Sequence, residues 1–203
     1  MLHSAKLQKE LLRKLFHLVG LVLVLGYTVI LQFFGKEVAL ISLTALLLVL
    51  MEIEYVRLEH DVSLPFQFGR ILRKHEKDRV TGAIWLIAAC IISFSVFSYQ
   101  IAVLSFFFVI FGDMFASLFG IAFGKKKIFR SKSWVGFLAG LSANITCGYF
   151  LMPDQPLVYV PMALTASFVE VITSKLDDNF TVPLFAGFAG FLISLLLRVA
   201  GIS

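Results

Sequence analysis

The stretch AVLSFFFVIFGDMFASLFGIAFGKKK, residues 102–127, decides the fold of this chain. It carries one acidic residue, Asp113, within a run of apolar and small residues long enough to cross a bilayer, and it ends in three lysines. A charged group inside a membrane helix costs about 2.5–3.5 kcal/mol on insertion scales. The stretch therefore predicts a spanning helix whose acid either lines a wet cavity or is held by hydrogen bonds.

The composition of the whole chain is that of a membrane protein. Its 203 residues are 59% apolar and 15% charged, whereas a soluble domain carries roughly 25% charged residues. We predict an all-α, polytopic helical bundle that forms a single transmembrane domain over residues 1–203. Cys90 and Cys147 lie in apolar runs and suggest neither a disulfide framework nor a metal motif.

Seven apolar segments are predicted to span the membrane, because each approaches the roughly 20 residues that a spanning helix needs. They lie near residues 15–34, 38–56, 82–98, 101–123, 134–151, 157–172 and 180–200. The first is too long for the apolar region of a signal peptide, and no small-residue cleavage site follows it. It is therefore interpreted as a spanning helix.

Lysine and arginine are concentrated on one face of this seven-span topology. Sixteen of the 18 lie in the N-terminal segment or in the links near 57–81, 124–133 and 173–179. The positive-inside rule then places the N-terminus and these links in the cytoplasm. Since this accounts for the net charge of +5, no nucleic-acid partner is expected. Residues 66–79 alternate apolar and basic residues and are predicted to lie on the cytoplasmic membrane surface.

Small residues accompany the buried acid along its helix. Gly112, Ala116, Gly120 and Gly124 recur every four residues. Such a stripe lets helix backbones approach closely, and it can equally clear space for a phosphate ligand. We also expect the helix to be broken or tilted near Gly112, because an acid so far from the basic link is otherwise hard for a phosphate to reach.

Basic residues follow at the cytoplasmic end of that helix, in the link at 124–133. They form either a solvated flank or a binding site for a triphosphate, since lysine is a point-charge phosphate ligand. A second basic group, Arg13, Lys14 and His17, lies about one turn apart at the start of the first span. It acts either as an interfacial anchor or as part of the same cavity.

Acidic and amide residues follow the sixth span, beginning with Glu170 near its end. Asp178 or Asn179 can cap the last helix. Together with Asp177 they also supply the oxygen ligands that hold Mg²⁺ beside phosphates. All these clusters fall on one membrane face. Phosphoryl transfer requires such a set: positioning, charge neutralisation and a base for the attacking hydroxyl. A hydroxyl acceptor that lives in lipid explains why the site lies in a membrane.

Four stretches make the chain similar to a known family of polytopic membrane enzymes. They are ELLRKLFHLVG (10–20), RKHEKDRVTGAIWL (73–86), FGDMFASLFGIAFGKKKIFRSKSWVGFLAG (111–140) and ASFVEVITSKLDDNFTVPL (166–184). They resemble motifs of the dolichol kinase, phytol kinase and CTP-dependent diacylglycerol kinase family. The resemblance implies CTP as phosphate donor, a divalent cation such as Mg²⁺, and a polyprenol, a phytol-like alcohol or diacylglycerol as acceptor.

Carried over by position, the resemblance implies a site composed of three sets of residues. The catalytic candidates are Asp113, Glu170 and His17, among which the general base stays open. The nucleotide-binding candidates are Arg13, Lys14, Gly120, Gly124, Lys125, Lys132, Ser133 and Asn179. The metal candidates are Asp113, Asp177 and Asp178. One departure is Val135, which stands where the family usually has an acid.

Two other functions remain open at this point. A CTP-dependent lipid cytidylyltransferase uses the same nucleotide but attacks its α-phosphate. A transporter or flippase would use Asp113 as a coupling or substrate-binding residue, although no inverted repeat is evident. The predicted partners are a lipid alcohol, a nucleotide and membrane lipids, and the sequence leaves open whether the chain forms a homo-oligomer.

Overall fold

Apolar runs that must satisfy their own backbone hydrogen bonds in lipid fold as helices. The computed structural model describes residues 18–60, 80–130, 132–173 and 176–201. Arg13, Lys14, His17 and the predicted surface segment at 66–79 lie outside these residues. Within them the helices are α1 (Val19–Glu59), α2 (Gly82–Val96), α3 (Tyr99–Phe107), α4 (Asp113–Phe123), α5 (Trp134–Leu151), α6 (Pro156–Ile172) and α7 (Asp178–Val199).

The first helix is broken where the sequence predicts a link. α1 contains 41 residues and would be about 60 Å long if it were straight, which is twice the thickness of the hydrocarbon core. Gly35 interrupts it with a φ of 85° and a ψ of 171°, a conformation that glycine adopts readily because it has no Cβ. α1 therefore consists of two arms, one before and one after Gly35.

The two arms of α1 both pack along α2, and they run in opposite directions to each other. In the first arm, Tyr27 stacks on Phe94 near the end of α2, with ring centroids 3.9 Å apart. In the second arm, Lys36 donates to the Ser95 carbonyl at 3.2 Å. At the far end of that arm, the Thr81 backbone N–H, just before α2, donates to Glu54 at 2.7 Å. The second arm therefore returns toward the start of α2.

The helix that carries the acid occupies the centre of the bundle. α3 continues into a π-helical turn, Phe108–Gly112, and then into α4, which begins at Asp113. Phe106 and Phe108 are each 1% exposed, so this part of the helix contacts protein and not lipid. The irregularity that the sequence suggested near Gly112 is this π turn.

The later helices alternate in direction around this centre. Packing of α5 on α6 brings Asn144 to Ser167, and the end of α6 meets the start of α7 where Thr173 contacts Thr181. α1, α3 together with α4, α5 and α7 are long and apolar enough to cross a membrane, while α2 and α6 are shorter apolar helices. The predicted all-α membrane bundle is confirmed, whereas the number of crossings stays a prediction.

Candidate functional site

The link between α4 and α5 folds as a small antiparallel hairpin, which the all-α prediction did not include. Its strands are β1 (Lys127–Phe129) and β2 (Lys132–Ser133), with Lys127 opposite Ser133 and Phe129 opposite Lys132. The turn between them uses a left-handed residue, Arg130, with a φ of 50°. The pairing is irregular between Lys127 and Phe129, as in a β-bulge.

Lys132 is the hairpin lysine that reaches into the bundle. Its Nζ donates to Glu170 Oε1 at 2.6 Å, and the Glu170 side chain is 7% exposed against 32% for Lys132. Lys125, Lys126 and Lys127 are exposed. Lys132 therefore differs from these three lysines in facing the bundle, and contact of any of them with a triphosphate stays a prediction.

The electrostatics of Lys132 show which carboxylates surround it. Burial alone would lower its pKa, but the negative charges of Glu170, Asp113 and Asp178 raise the pKa above the usual value for lysine. A raised pKa requires nearby opposite charge that outweighs the loss of hydration. Three acids chosen from the sequence, contributed by α6, α4 and α7, thus lie around one ammonium group.

Asp113 does not face lipid. The residue is 3% exposed, and the Ser117 hydroxyl, one turn further along α4, donates to its Oδ1 at 3.3 Å. Asp113 is the first residue of α4, which continues the π turn without a break in the helical backbone. The acid that the sequence placed in a membrane helix is therefore enclosed by protein and close to the cation of Lys132.

The small-residue stripe serves close helix packing. A methyl group added at Gly136 on α5 would lie 2.6 Å from the Ala116 carbonyl oxygen, and one at Gly140 would lie 3.1 Å from the Gly112 carbonyl oxygen. The added methyl at Gly140 would also lie 3.7 Å from Glu170 Oε2. Glycines on both helices therefore let α4 and α5 touch, and they hold Asp113 and Glu170 near one another.

We expect Gly136→Ala to lower the thermal unfolding temperature of the detergent-purified protein. The clash is with backbone, which cannot rotate away, and overpacking of this kind costs about 1–3 kcal/mol. Gly26→Ala is the matched control, because nothing lies within 4 Å of a Cβ at that helical glycine. Equal unfolding temperatures for the two variants would contradict close packing of α4 on α5.

Ser133, Gly120 and Gly124, all predicted to bind nucleotide, lie together where the hairpin joins α5. Ser133 is the N-cap of α5, and its hydroxyl accepts a hydrogen bond from the Gly136 backbone N–H at 3.2 Å. A methyl group at Gly120 would lie 3.2 Å from that same hydroxyl. All three have a packing or capping role, and their contact with a nucleotide stays a prediction.

In the acidic segment at the start of α7, one residue caps the helix and the next lies near the candidate site. The N-cap of α7 is Asp177, whose Oδ1 accepts from the Asn179 backbone N–H at 2.9 Å. The cap is therefore neither Asp178 nor Asn179, the two residues that the sequence offered. The negative charge of Asp178 contributes to the raised pKa of Lys132. Asn179 is 6% exposed. A metal role for Asp177 stays a prediction.

A magnesium site of several protein ligands is not preformed. Within residues 18–60, 80–130, 132–173 and 176–201, no three His, Cys, Asp or Glu side chains converge as metal ligands. Mg²⁺ bound with a nucleotide usually takes one or two carboxylates and completes its shell with phosphate oxygens and water. Asp113 and Asp178 fit that pattern, because both lie near the Lys132 ammonium.

Two buried polar groups escaped the sequence analysis. Glu54 and Arg57 form an ion pair of 2.7 Å at the end of α1, with side chains 8% and 7% exposed. Asn144, 1% exposed, donates to the Ser167 hydroxyl at 3.1 Å. Asn144 continues the four-residue spacing of Gly136 and Gly140 on α5, a signal from which it could have been found.

Two curated proteins are similar to this chain. CTP-dependent diacylglycerol kinase 1 of Saccharomyces cerevisiae is 27% identical over 210 residues, covering 86% of this chain and 70% of the yeast protein. CTP-dependent diacylglycerol kinase 1 of Eremothecium gossypii is 30% identical over 142 residues, covering 57% of this chain and 45% of that protein. No protein-family model and no solved structure matches the chain. The resemblance seen in the motifs is confirmed: over most of its length the chain is similar to a CTP-dependent diacylglycerol kinase.

Proposed function

We propose that this protein is a CTP-dependent lipid kinase that transfers the γ-phosphate of CTP to the hydroxyl of diacylglycerol. The observation that carries the proposal is the position of the Lys132 ammonium, which bonds Glu170 and is affected by the charges of Asp113 and Asp178. The similarity to two CTP-dependent diacylglycerol kinases supports CTP as donor and diacylglycerol as acceptor. A polyprenol or a phytol-like alcohol is the alternative acceptor.

The hairpin is proposed to receive the triphosphate. Its exposed lysines, Lys125 among them, raise the local concentration of an anion, and Lys132 then contacts the phosphates from within the bundle. Gly120, Gly124, Ser133 and Asn179 border this region. Arg13 and Lys14, which lie outside the described residues, complete the proposed nucleotide-binding set.

Asp113 and Asp178 are proposed to hold Mg²⁺ together with the phosphate oxygens. Their carboxylates are the hard oxygen ligands that Mg²⁺ prefers, and two of them suffice when a nucleotide supplies the rest. The ion, when bound, neutralises negative charge on the phosphates as the terminal P–O bond breaks. Asp177 would contribute only with the oxygen that does not cap α7.

The reaction needs one proton acceptor. The oxygen of the lipid hydroxyl attacks the γ-phosphorus, the bond to the β-phosphate oxygen breaks, CDP leaves, and the hydroxyl proton passes to a carboxylate. Among Glu170, Asp113 and His17, we favour Glu170 because its present partner is the Lys132 ammonium at 2.6 Å. Phosphates that arrive beside Lys132 would compete for that ammonium, and the Glu170 carboxylate would then accept the proton of the lipid hydroxyl.

The site is proposed to open toward the cytoplasm, in a single domain of seven spans with a cytoplasmic N-terminus. The support is the sequence distribution of Lys and Arg, 16 of 18 on one face, together with the antiparallel order of the described helices. The acceptor would enter between helices while its acyl chains remain in the bilayer. The hydroxyl then meets the nucleotide at the boundary between lipid and water.

The test is an assay of the purified protein in detergent micelles with CTP labelled on its γ-phosphate. We expect label to appear in a lipid monophosphate, with CDP as the second product, and we expect diacylglycerol to be used better than polyprenol or phytol. ATP in place of CTP tests the choice of donor. When phosphatidate is supplied in place of the alcohol, formation of a CDP-lipid and pyrophosphate would instead identify a cytidylyltransferase. Transport without a lipid product would identify a carrier.

A further inference from the structure

A polar layer lies one turn deeper in the bundle than Glu170. Ser167 precedes Glu170 by three residues on α6, and Asn144 follows Gly140 by four on α5, so both lie below the site on the faces that line it. The Asn144 Nδ2 donates to the Ser167 hydroxyl at 3.1 Å. This bond joins α5 to the helix that carries Glu170.

Asn144 also contacts the residue before Asp113. A methyl group added at Gly112 would lie 2.9 Å from both Asn144 Cγ and Asn144 Nδ2. The amide therefore fits directly against the glycine that ends the π turn, and Asn144 is 1% exposed. A single side chain thus joins the helix of Glu170 to the backbone that orients Asp113.

Packing alone does not explain an asparagine at this position. Its Oδ1 is buried and has no hydrogen-bond partner among the residues that the structure describes. A buried acceptor without a partner is unfavourable, and most unfavourable in a membrane interior. Leucine has a similar size and would fill the same space without an unmatched oxygen. The amide is therefore retained for its hydrogen bond and its fixed orientation.

The π turn determines the direction in which Asp113 points. A π turn inserts one residue into a helix, and π turns recur at functional sites. One residue corresponds to a rotation of about 100° around the helix axis. If Phe108–Gly112 relaxed to an ordinary α-helical turn, α4 would rotate and Asp113 would leave the neighbourhood of Lys132 and Glu170.

We infer that Asn144 is a positioning residue that, tied to Ser167, holds the π turn and thereby keeps Asp113 directed toward Glu170. The inference deepens the proposed kinase function and rests on it for its catalytic consequence. Asn144 does not contact the reacting atoms. It acts through Gly112, and it couples the orientation of one acid to the helix of the other.

The first test measures the orientation of α4 without any activity. In a background with Cys90→Ala and Cys147→Ala, a single thiol is introduced by Ser117→Cys, on the face of Asp113, or by Phe115→Cys, on the lipid-exposed face. A charged maleimide should react faster at position 117 than at 115. Asn144→Leu is expected to reduce the ratio of the two rates by about tenfold, because a rotation of α4 by one residue turns position 117 away from water.

The second test measures catalysis in the same Asn144→Leu variant and in Ser167→Ala. We expect kcat to fall about 100-fold for Asn144→Leu, the loss that a displacement of about 1 Å can cause, and less for Ser167→Ala. Thr146→Val is the matched control on α5, because its hydroxyl bonds only its own helix at the Ser142 carbonyl, and it should retain parental kcat.

An unchanged ratio of labelling rates in Asn144→Leu overturns the inference, whatever happens to activity. Parental kcat in Asn144→Leu also overturns it. If the parent protein has no kinase activity with any lipid alcohol, the proposed function fails, while the labelling ratio still decides whether Asn144 sets the orientation of α4.

Discussion

Asp113→Asn is expected to reduce phosphoryl transfer by about 1,000-fold or more, the loss that follows removal of a preorganised electrostatic group from an active site. The amide has nearly the shape of the carboxylate and can still accept the Ser117 hydrogen bond. It lacks the charge that attracts Lys132 and that would hold Mg²⁺ with the nucleotide. The measurement is kcat with saturating CTP and diacylglycerol.

The thermal stability of the Asp113→Asn variant should not fall with its activity. A carboxylate inside a membrane bundle is unfavourable, so Asp113→Asn should unfold at the parental temperature or above it. The matched control is Asp154→Asn, because Asp154 is exposed in the link before α6 and should keep full activity. If Asp113→Asn retained more than a tenth of parental kcat, Asp113 would not belong to the reaction centre.

Lys132→Met should produce the second large effect, a loss of about 100-fold in kcat/KM for CTP, since a buried charge-assisted contact to phosphate would disappear. The side chains are similar in length, so the charge is the main difference. Because nearby carboxylates raise the Lys132 pKa above its usual value, the ammonium stays charged from pH 6 to well above neutrality. A change of assay pH within that range should therefore not reproduce the loss.

Lys126→Met is the matched control in the same link between α4 and α5, because Lys126 is exposed just before β1. Its effect should be small and should shrink further at high salt, as expected for a screened surface charge. Lys132→Arg should recover part of the activity. Equal losses for Lys126→Met and Lys132→Met would show that the hairpin acts as a diffuse basic surface, without one specific phosphate ligand.

Hydrophobicity alone predicted most of the fold. Runs of about 20 apolar residues have few ways to satisfy their backbone in lipid, so the predicted segments agree with helices within a few residues. Gly35 broke α1 inside the predicted link at 35–37. The hairpin at 127–133 was not predicted, because its strands are too short to show an alternating pattern and their pairing depends on how α4 and α5 are placed.

The acids of the candidate site were also predictable from the hydrophobicity of the segments around them. An acidic residue in an apolar helix is unfavourable unless a wet cavity or hydrogen bonds compensate for it, and so Asp113 and Glu170 stood out from the sequence. Lys132 was selected from the basic link only through the family resemblance. Its inward direction could not be predicted from the residues themselves, since that direction depends on the register of the hairpin. Asn144 was missed because one uncharged amide hardly changes the hydrophobicity of a segment.

The pair formed by Glu54 and Arg57 was missed because of its position. Charged residues at the end of an apolar run are expected to reach the aqueous boundary, and nothing in the sequence distinguishes buried from exposed ones. In the folded protein Glu54 accepts from Arg57 and from the Thr81 backbone N–H. The pair therefore ties the end of α1 to the beginning of α2.

The hairpin register limits how the length of its strands can vary. Lys132 faces inward, and the next residue, Ser133, caps α5. A single residue added within β2 would separate Lys132 from the Ser133 cap, and the Lys132 side chain would turn to the other face of the strand. The ammonium would then point to bulk water, although every residue type was retained. Residues added at the turn near Arg130 would leave the pairing of β1 with β2 unchanged. We therefore expect insertions and deletions in this link to be confined to the turn.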